Sequence, residues 1–249
     1  MATVYNNLWE QTQYKAEAYD YIANRFIYEY DLKQANISIL TEAGWMKEEQ
    51  YKIYSELPKE ERQVTVGLLQ REHPETIEII REGVKEARRK FLVENNIPDP
   101  FILYIDNDSI TIIDPNPRMS LKAKPLDLKC KFGNYIEFRP KNVYSSFYKL
   151  GSIHLLYSFD GIEEEYRLKY AGQKVIEDHK DHLLDFILAV VQEVEAGRVP
   201  DALQMIKNTY CRYTGGELAL NFYREFNNKS QFRLKPGFAF TYFTDIPPE

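Results

Sequence analysis

Asp31, Asp106 and Asp108 are the residues whose type and spacing can do chemistry. Asp31 closes a short alternating run, Phe26-Ile27-Tyr28-Glu29-Tyr30-Asp31, that reads as a strand. Asp106 and Asp108 flank Asn107 between two β-rich runs, 101–106 and 109–114, and a two-residue polar turn between such runs is a hairpin signal. Converging carboxylates are what two-metal phosphoryl transfer requires. Oxygen ligands suit a hard cation such as Mg2+, and a pair of ions about 4 Å apart activates the attacking hydroxyl and neutralises the leaving group. The same residue types also have a purely structural use, because Asp and Asn stabilise turns through local side-chain hydrogen bonds and tolerate left-handed dihedrals. Residue by residue, both uses stand open.

The elements that would position these side chains follow from periodicity. Leu8, Tyr14, Ala18, Tyr21, Ile22 and Phe26 fit one face of an amphipathic helix over residues 8–28, which then gives way to the strand 26–31. Helices are expected over 34–42, ending at Gly44, and over 47–56 and 59–71, separated by Pro58. The longest regular helix spans Glu75–Glu94, with Ile79, Val84, Ala87 and Phe91 on one side. Arg88, Arg89 and Lys90 near its C-terminal end read as a solvated terminus that suits the helix dipole. After Pro98 and Pro100 the period changes to two. Beyond the 101–114 hairpin, strands are expected at 126–131, 135–139, 153–159 and 164–169, with Asp160-Gly161 turning between the last two. Helices return at 179–195, 201–210 and 217–226. The fold class is α+β, an antiparallel sheet flanked by helices.

Composition narrows the function classes. The 249 residues supply ample core for one large domain or two small ones without a disulfide or metal staple. Cys130 and Cys211 cannot build a disulfide framework, and the N-terminus carries no basic-then-apolar signal, so a cytoplasmic, intracellular setting is expected. No apolar run approaches the ~20 residues of a spanning helix, which excludes a membrane partner of that kind. The net charge of −6 argues against gripping nucleic acid by overall charge. One local strip, Arg118, Lys122, Lys124, Lys129, Lys131, Arg139, Lys141 and Lys149, reads equally as a basic interface or a solvated strand face. Among the histidines, only His179 and His182 approach metal-site spacing, and with no cysteine nearby they read as a surface feature.

Three short motifs, in order, carry a family resemblance. Asp31-Leu32-Lys33-Gln34-Ala35-Asn36-Ile37-Ser38-Ile39-Leu40 resembles the family B DNA polymerase motif Asp-Phe-x-Ser-Leu-Tyr-Pro-Ser-Ile-Ile, and through Asp31 and Gln34 it is also similar to the family A form. Tyr104-Ile105-Asp106-Asn107-Asp108-Ser109 resembles Tyr-Gly-Asp-Thr-Asp-Ser, and Leu168-Lys169-Tyr170-Ala171-Gly172 looks like the downstream Lys-Lys-Arg-Tyr-Ala-Gly. The helix Glu75–Glu94 leads into the hairpin as its counterpart does in that family. The resemblance, over roughly residues 28–172, is to a minimal or divergent palm domain. It implies that Asp31 and Asp106 ligate Mg2+ or Mn2+, that Asp108 assists, and that Lys169 and Tyr170 position the primer strand. It further implies a palm-like core over 1–178 with a short helical fingers insertion at about 45–95, and a helical, thumb-like segment over 179–249. DNA or RNA primer-template, nucleoside triphosphates and further polymerase subunits are the implied partners.

The chain departs from that pattern in places. The fingers motif Lys-x-x-x-Asn-x-x-x-Tyr-Gly is absent, and Lys59 and Arg62 in 59–67 are the nearest candidates for a triphosphate contact. Asn36 stands where the family has the tyrosine that screens the sugar 2′-hydroxyl, and no room precedes Asp31 for a proofreading exonuclease. The compact size fits a viral or mobile-element origin. The leading expectation is a template-directed nucleotidyltransferase working in DNA replication. A palm fold that has lost catalysis and serves as a binding or assembly subunit is the second reading. An unrelated α+β interaction protein whose aspartates are turn formers is the third.

Overall fold

Strands rich in β-branched and aromatic residues build two antiparallel sheets, and one amphipathic helix packs across the larger. The computed structural model describes residues 7–19, 21–120, 122–150, 153–159, 164–169, 196–198 and 200–201. In chain order the strands and helices are β1 (Gln13–Lys15), β2 (Tyr21–Ile22), β3 (Ile27–Leu32), α1 (Ala35–Glu42), α2 (Glu48–Glu56), α3 (Lys59–Glu72), α4 (Glu75–Glu94), β4 (Ile102–Asp106), β5 (Ser109–Ile113), β6 (Phe138–Tyr144), β7 (Ser146–Leu150), β8 (Ile153–Phe159) and β9 (Glu164–Lys169). The larger sheet runs β1-β4-β5-β3-β6 and the smaller β2-β7-β8-β9, with antiparallel pairing throughout. The α+β class expected from the sequence is the one observed.

The core lies between the larger sheet and α4. Phe91 of α4 sits 5.2 Å from the Tyr30 ring and 4.6 Å from Phe138, while Ala87 and Leu92 are buried beside it. Tyr30 thus points at α4, and side-chain alternation sends Asp31 to the opposite face. Strand β5 is buried along its whole length. Buried Glu29 is satisfied by Asn142 Nδ2 at 2.6 Å and the Tyr144 hydroxyl at 2.9 Å, both donating to its carboxylate. Tyr104 of β4 and His154 of β8 share a 2.7 Å hydrogen bond that links the two sheets, with the Phe147 ring against both. Helix α1 ends as expected at Gly44, whose φ of 73° permits the left-handed turn that lets Trp45 and Met46 donate back to the Leu40 carbonyl.

Three expectations need correction. Residues 8–28 do not form a helix: they give a 3-10 turn (Leu8–Glu10), β1 and β2. Tyr14, Tyr21 and Ile22 are strand formers, and the segment gives each sheet an edge partner, β1 along β4 and β2 along β7. Tertiary pairing outweighs the helical spacing. Residues 126–131 carry only an isolated bridge, Lys131 to Glu137, and the strand expected at 135–139 begins later, as β6. Pro140 is accommodated within β6 because β6 is the sheet edge, where a missing N–H breaks no ladder on its outer side. Strand β7 was not expected at all. The turn at Asp160-Gly161, Tyr170 and the helices at 179–195 and 217–226 lie outside the described residues, as do nearly all of the helix at 201–210 and of the segment 179–249.

Candidate carboxylate site

Strand register brings the three aspartates to one end of the larger sheet. Ser109 of β5 is the Cα partner of Asp106 on β4 and of Asp31 on β3. Cross-strand partners share a face, so Asp106, Ser109 and Asp31 form a row that Arg139 of β6 extends. The backbone locks the arrangement: Leu32 N–H donates to the Asp108 carbonyl at 2.9 Å, tying the end of β3 to the hairpin tip. Asn107 takes φ of 50°, a left-handed conformation that asparagine tolerates, and the hairpin turns within two residues.

Asp108 registers the crowding. Its carboxyl is pushed above the usual aspartate value, chiefly by desolvation; a backbone hydrogen bond opposes this, the Asp31 charge adds to it, Lys141 opposes it and Asp106 adds again. A cavity of about 220 Å³ opens beside the row. Asp31, Asp108, Gln34 and Asn36 line it together with Lys59 and Arg62 of α3. Asp106 is not part of that lining, so Asp31 and Asp108 are the two carboxylates that face the space. Arg62 also donates to the Leu57 carbonyl at 3.2 Å. Among the described residues, no three His, Cys, Asp or Glu side chains gather into a ready cage for a metal ion.

Of the residues singled out in the sequence, the fold therefore brings Asp31, Asp106 and Asp108 to one sheet end, and Asn36, Lys59 and Arg62 to the adjoining cavity. Lys169 closes β9 as the partner of His154, in the other sheet, and Tyr170 lies outside the described residues. Three contributors escaped the sequence reading. Gln34 lines the cavity and is anchored by donating to the Ser55 carbonyl at 3.0 Å. Lys141 pairs with Asp31 at 2.6 Å. Arg88, expected at a solvated helix end, is 1% exposed, and its Nη1 donates to the Asn107 carbonyl at 2.7 Å. Burial lowers its pKa to about 10, with the Asp108 charge acting the other way. Its neighbours Arg89 and Lys90 do pair at the surface, both with Glu86. The signal was present: Arg88 lies at helical spacing from Val84 and Phe91, on the apolar face.

Comparison with curated proteins finds no match. Comparison with protein families matches residues 1–233, nearly the whole chain, to a family described by a phage gene. That match supports the viral origin and does not itself point to a polymerase palm domain. The chain belongs to the bacteriophage PBS1 gene 130 protein family.

Proposed function

We propose that the chain is a nucleotidyltransferase-like protein that adds nucleotides to a 3′-hydroxyl on a nucleic-acid template. The observation that carries this reading is the cavity that Asp31 and Asp108 line together with Lys59 and Arg62. Carboxylates and cations lining one small space suit a ligand that is itself a polyanion bound through a cation. Mg2+ is usually held by one or two carboxylates and completed by water and substrate phosphates, so a two-carboxylate site fits it without a third protein ligand. Mg2+ or Mn2+, when bound there, would lower the pKa of the attacking hydroxyl and offset charge on the departing pyrophosphate. Asp31 and Asp108 would hold the ion, and Asp106, beyond Ser109 in the row, would add negative charge. Lys59 and Arg62 would bind the triphosphate, and Asn36 would lie beside the sugar.

A second reading has its own observation. The Lys141 ammonium on Asp31 favours a palm-like subunit that binds nucleic acid or partner proteins without catalysis. Nucleotide incorporation on a primed template, measured together with Mn2+ affinity, separates the two. Removing a residue that merely orients a metal ligand costs about 10- to 100-fold in affinity, so removing a ligand costs at least that. The catalytic reading expects Asp31→Asn and Asp108→Asn each to abolish incorporation and to weaken Mn2+ binding by about tenfold or more. Absence of incorporation by wild type, with Mn2+ affinity insensitive to both substitutions, would leave the binding subunit.

A further inference from the structure

Strand β6 carries a bulge, and the bulge delivers a lysine to the carboxylates. Where β3 pairs with β6, Glu29 faces Asn142 and Tyr30 faces Pro140, which leaves Lys141 as the extra residue with no partner on β3. A bulge bends its strand and re-aims the extra side chain, and edge strands are where such features occur. Pro140, lacking an N–H, suits that interruption. The outcome is specific: Lys141 Nζ lies 2.6 Å from Asp31 Oδ2, and its charge also acts on Asp108. Several other cations nearby are engaged elsewhere. Lys33 and Arg139 pair with Glu137, and Arg88 holds the Asn107 carbonyl.

We propose that Lys141 is a built-in counter-cation of Asp31 that offsets part of the Asp31 and Asp108 charge in the absence of a divalent ion and competes with that ion for Asp31. The inference rests on the proposed metal-binding reading of the site. Its physical basis is the partial exposure of the pair, 42% for the lysine side chain and 33% for the aspartate. A pair in contact with water is weakly held, so the ammonium can give way to a doubly charged ion on the same oxygen. Lysine suits such a role, being a compact charge on a flexible four-carbon stem.

The test is Mn2+ affinity of the full chain, measured by electron paramagnetic resonance, with thermal melting of every variant. Lys141→Met is expected to bind Mn2+ about two- to fivefold more tightly than wild type, the range set by the strength of a partly exposed ion pair. Lys141→Arg, which keeps the charge, is expected to stay at or below wild-type affinity, and Asp31→Asn to weaken binding. If Asp31→Asn weakens binding while Lys141→Met leaves it unchanged or weaker, the counter-cation role is wrong and the metal site stands. A lower melting temperature for Lys141→Met with unchanged affinity would reduce the lysine to a structural part and overturn the inference. If neither wild type nor Lys141→Met binds Mn2+, the metal reading fails and takes the inference with it.

Discussion

Burial and the charges of Asp31 and Asp106 raise the Asp108 carboxyl above its ordinary value, so the folded chain holds that proton more tightly than the unfolded chain does. Below the ordinary aspartate range, near pH 3.9, the group is protonated in both states and costs the fold nothing. As pH rises through the raised folded value, wild type must ionise a carboxyl that the fold resists, and stability is lost. Asp108→Asn cannot ionise and escapes that loss. In metal-free buffer, urea midpoints should therefore place Asp108→Asn above wild type at pH 7, with the gap closing towards pH 4. A gap independent of pH, or a less stable variant at pH 7, would mean that Asp108 is not strained by its neighbours. Destabilised groups held in place are common at functional sites, where stability is traded for activity. The three aspartates were legible because each sits at a recognisable strand end or turn. Lys141 was not, since a bulge follows from pairing across the sheet and leaves no mark on a single strand.

The helices between β3 and β4 bring Lys59 and Arg62 to the cavity, and two of them, α1 and α4, pack closely. Gly83 of α4 lies so close to α1 that a Cβ there would overlap the Ile39 side chain, and Ile39 is 2% exposed with no room to withdraw. Alanine is the better helix former by about 1 kcal/mol, so helix propensity alone predicts that Gly83→Ala stabilises. Overpacking in a filled core costs about 1–3 kcal/mol, and the overlap should win. Gly83→Ala is expected to lower urea stability by about 1–2 kcal/mol. Combining it with Ile39→Ala should show a favourable coupling of at least about 0.5 kcal/mol, because the second change removes the obstruction. Additive losses would place the cost elsewhere. At this scale the sequence was most readable where one period runs long. Helix α4 falls at Glu75–Glu94 as expected, and α1 to α3 lie within a residue or so of expectation. It was least readable in short edge pieces. Residues 13–15 and 21–22 owe their strand form to partners some 90 and 125 positions away, which no local pattern encodes.

For the molecule as a whole, the question is how a chain of net charge −6 would engage a polyanion. The basic strip between Arg118 and Lys149 is largely consumed inside the fold. Arg118 donates to the Ser145 carbonyl, Lys129 pairs with Glu94, Arg139 with Glu137, Lys141 with Asp31 and Lys149 with Glu17. Lys122, Lys124 and Lys131 are exposed and have no acidic partner among the described residues. Each phosphate neutralised on duplex DNA contributes about −0.9 to the slope of log affinity against log salt, so these three lysines account for a slope of roughly −3 at most. Titrating a labelled primed duplex between 50 and 200 mM KCl, wild type against the combined Lys122→Ala, Lys124→Ala and Lys131→Ala variant, measures that share directly. If the strip is the interface, the variant should lose about three from the magnitude of the slope and bind more weakly at every salt concentration. If both proteins bind with the same slope, the strip is a solvated face and any grip on nucleic acid belongs elsewhere. A wild-type slope near −7 that falls to about −4 in the variant would mean that binding opens the internal ion pairs as well, with Lys141 among the cations released from Asp31 towards the phosphates.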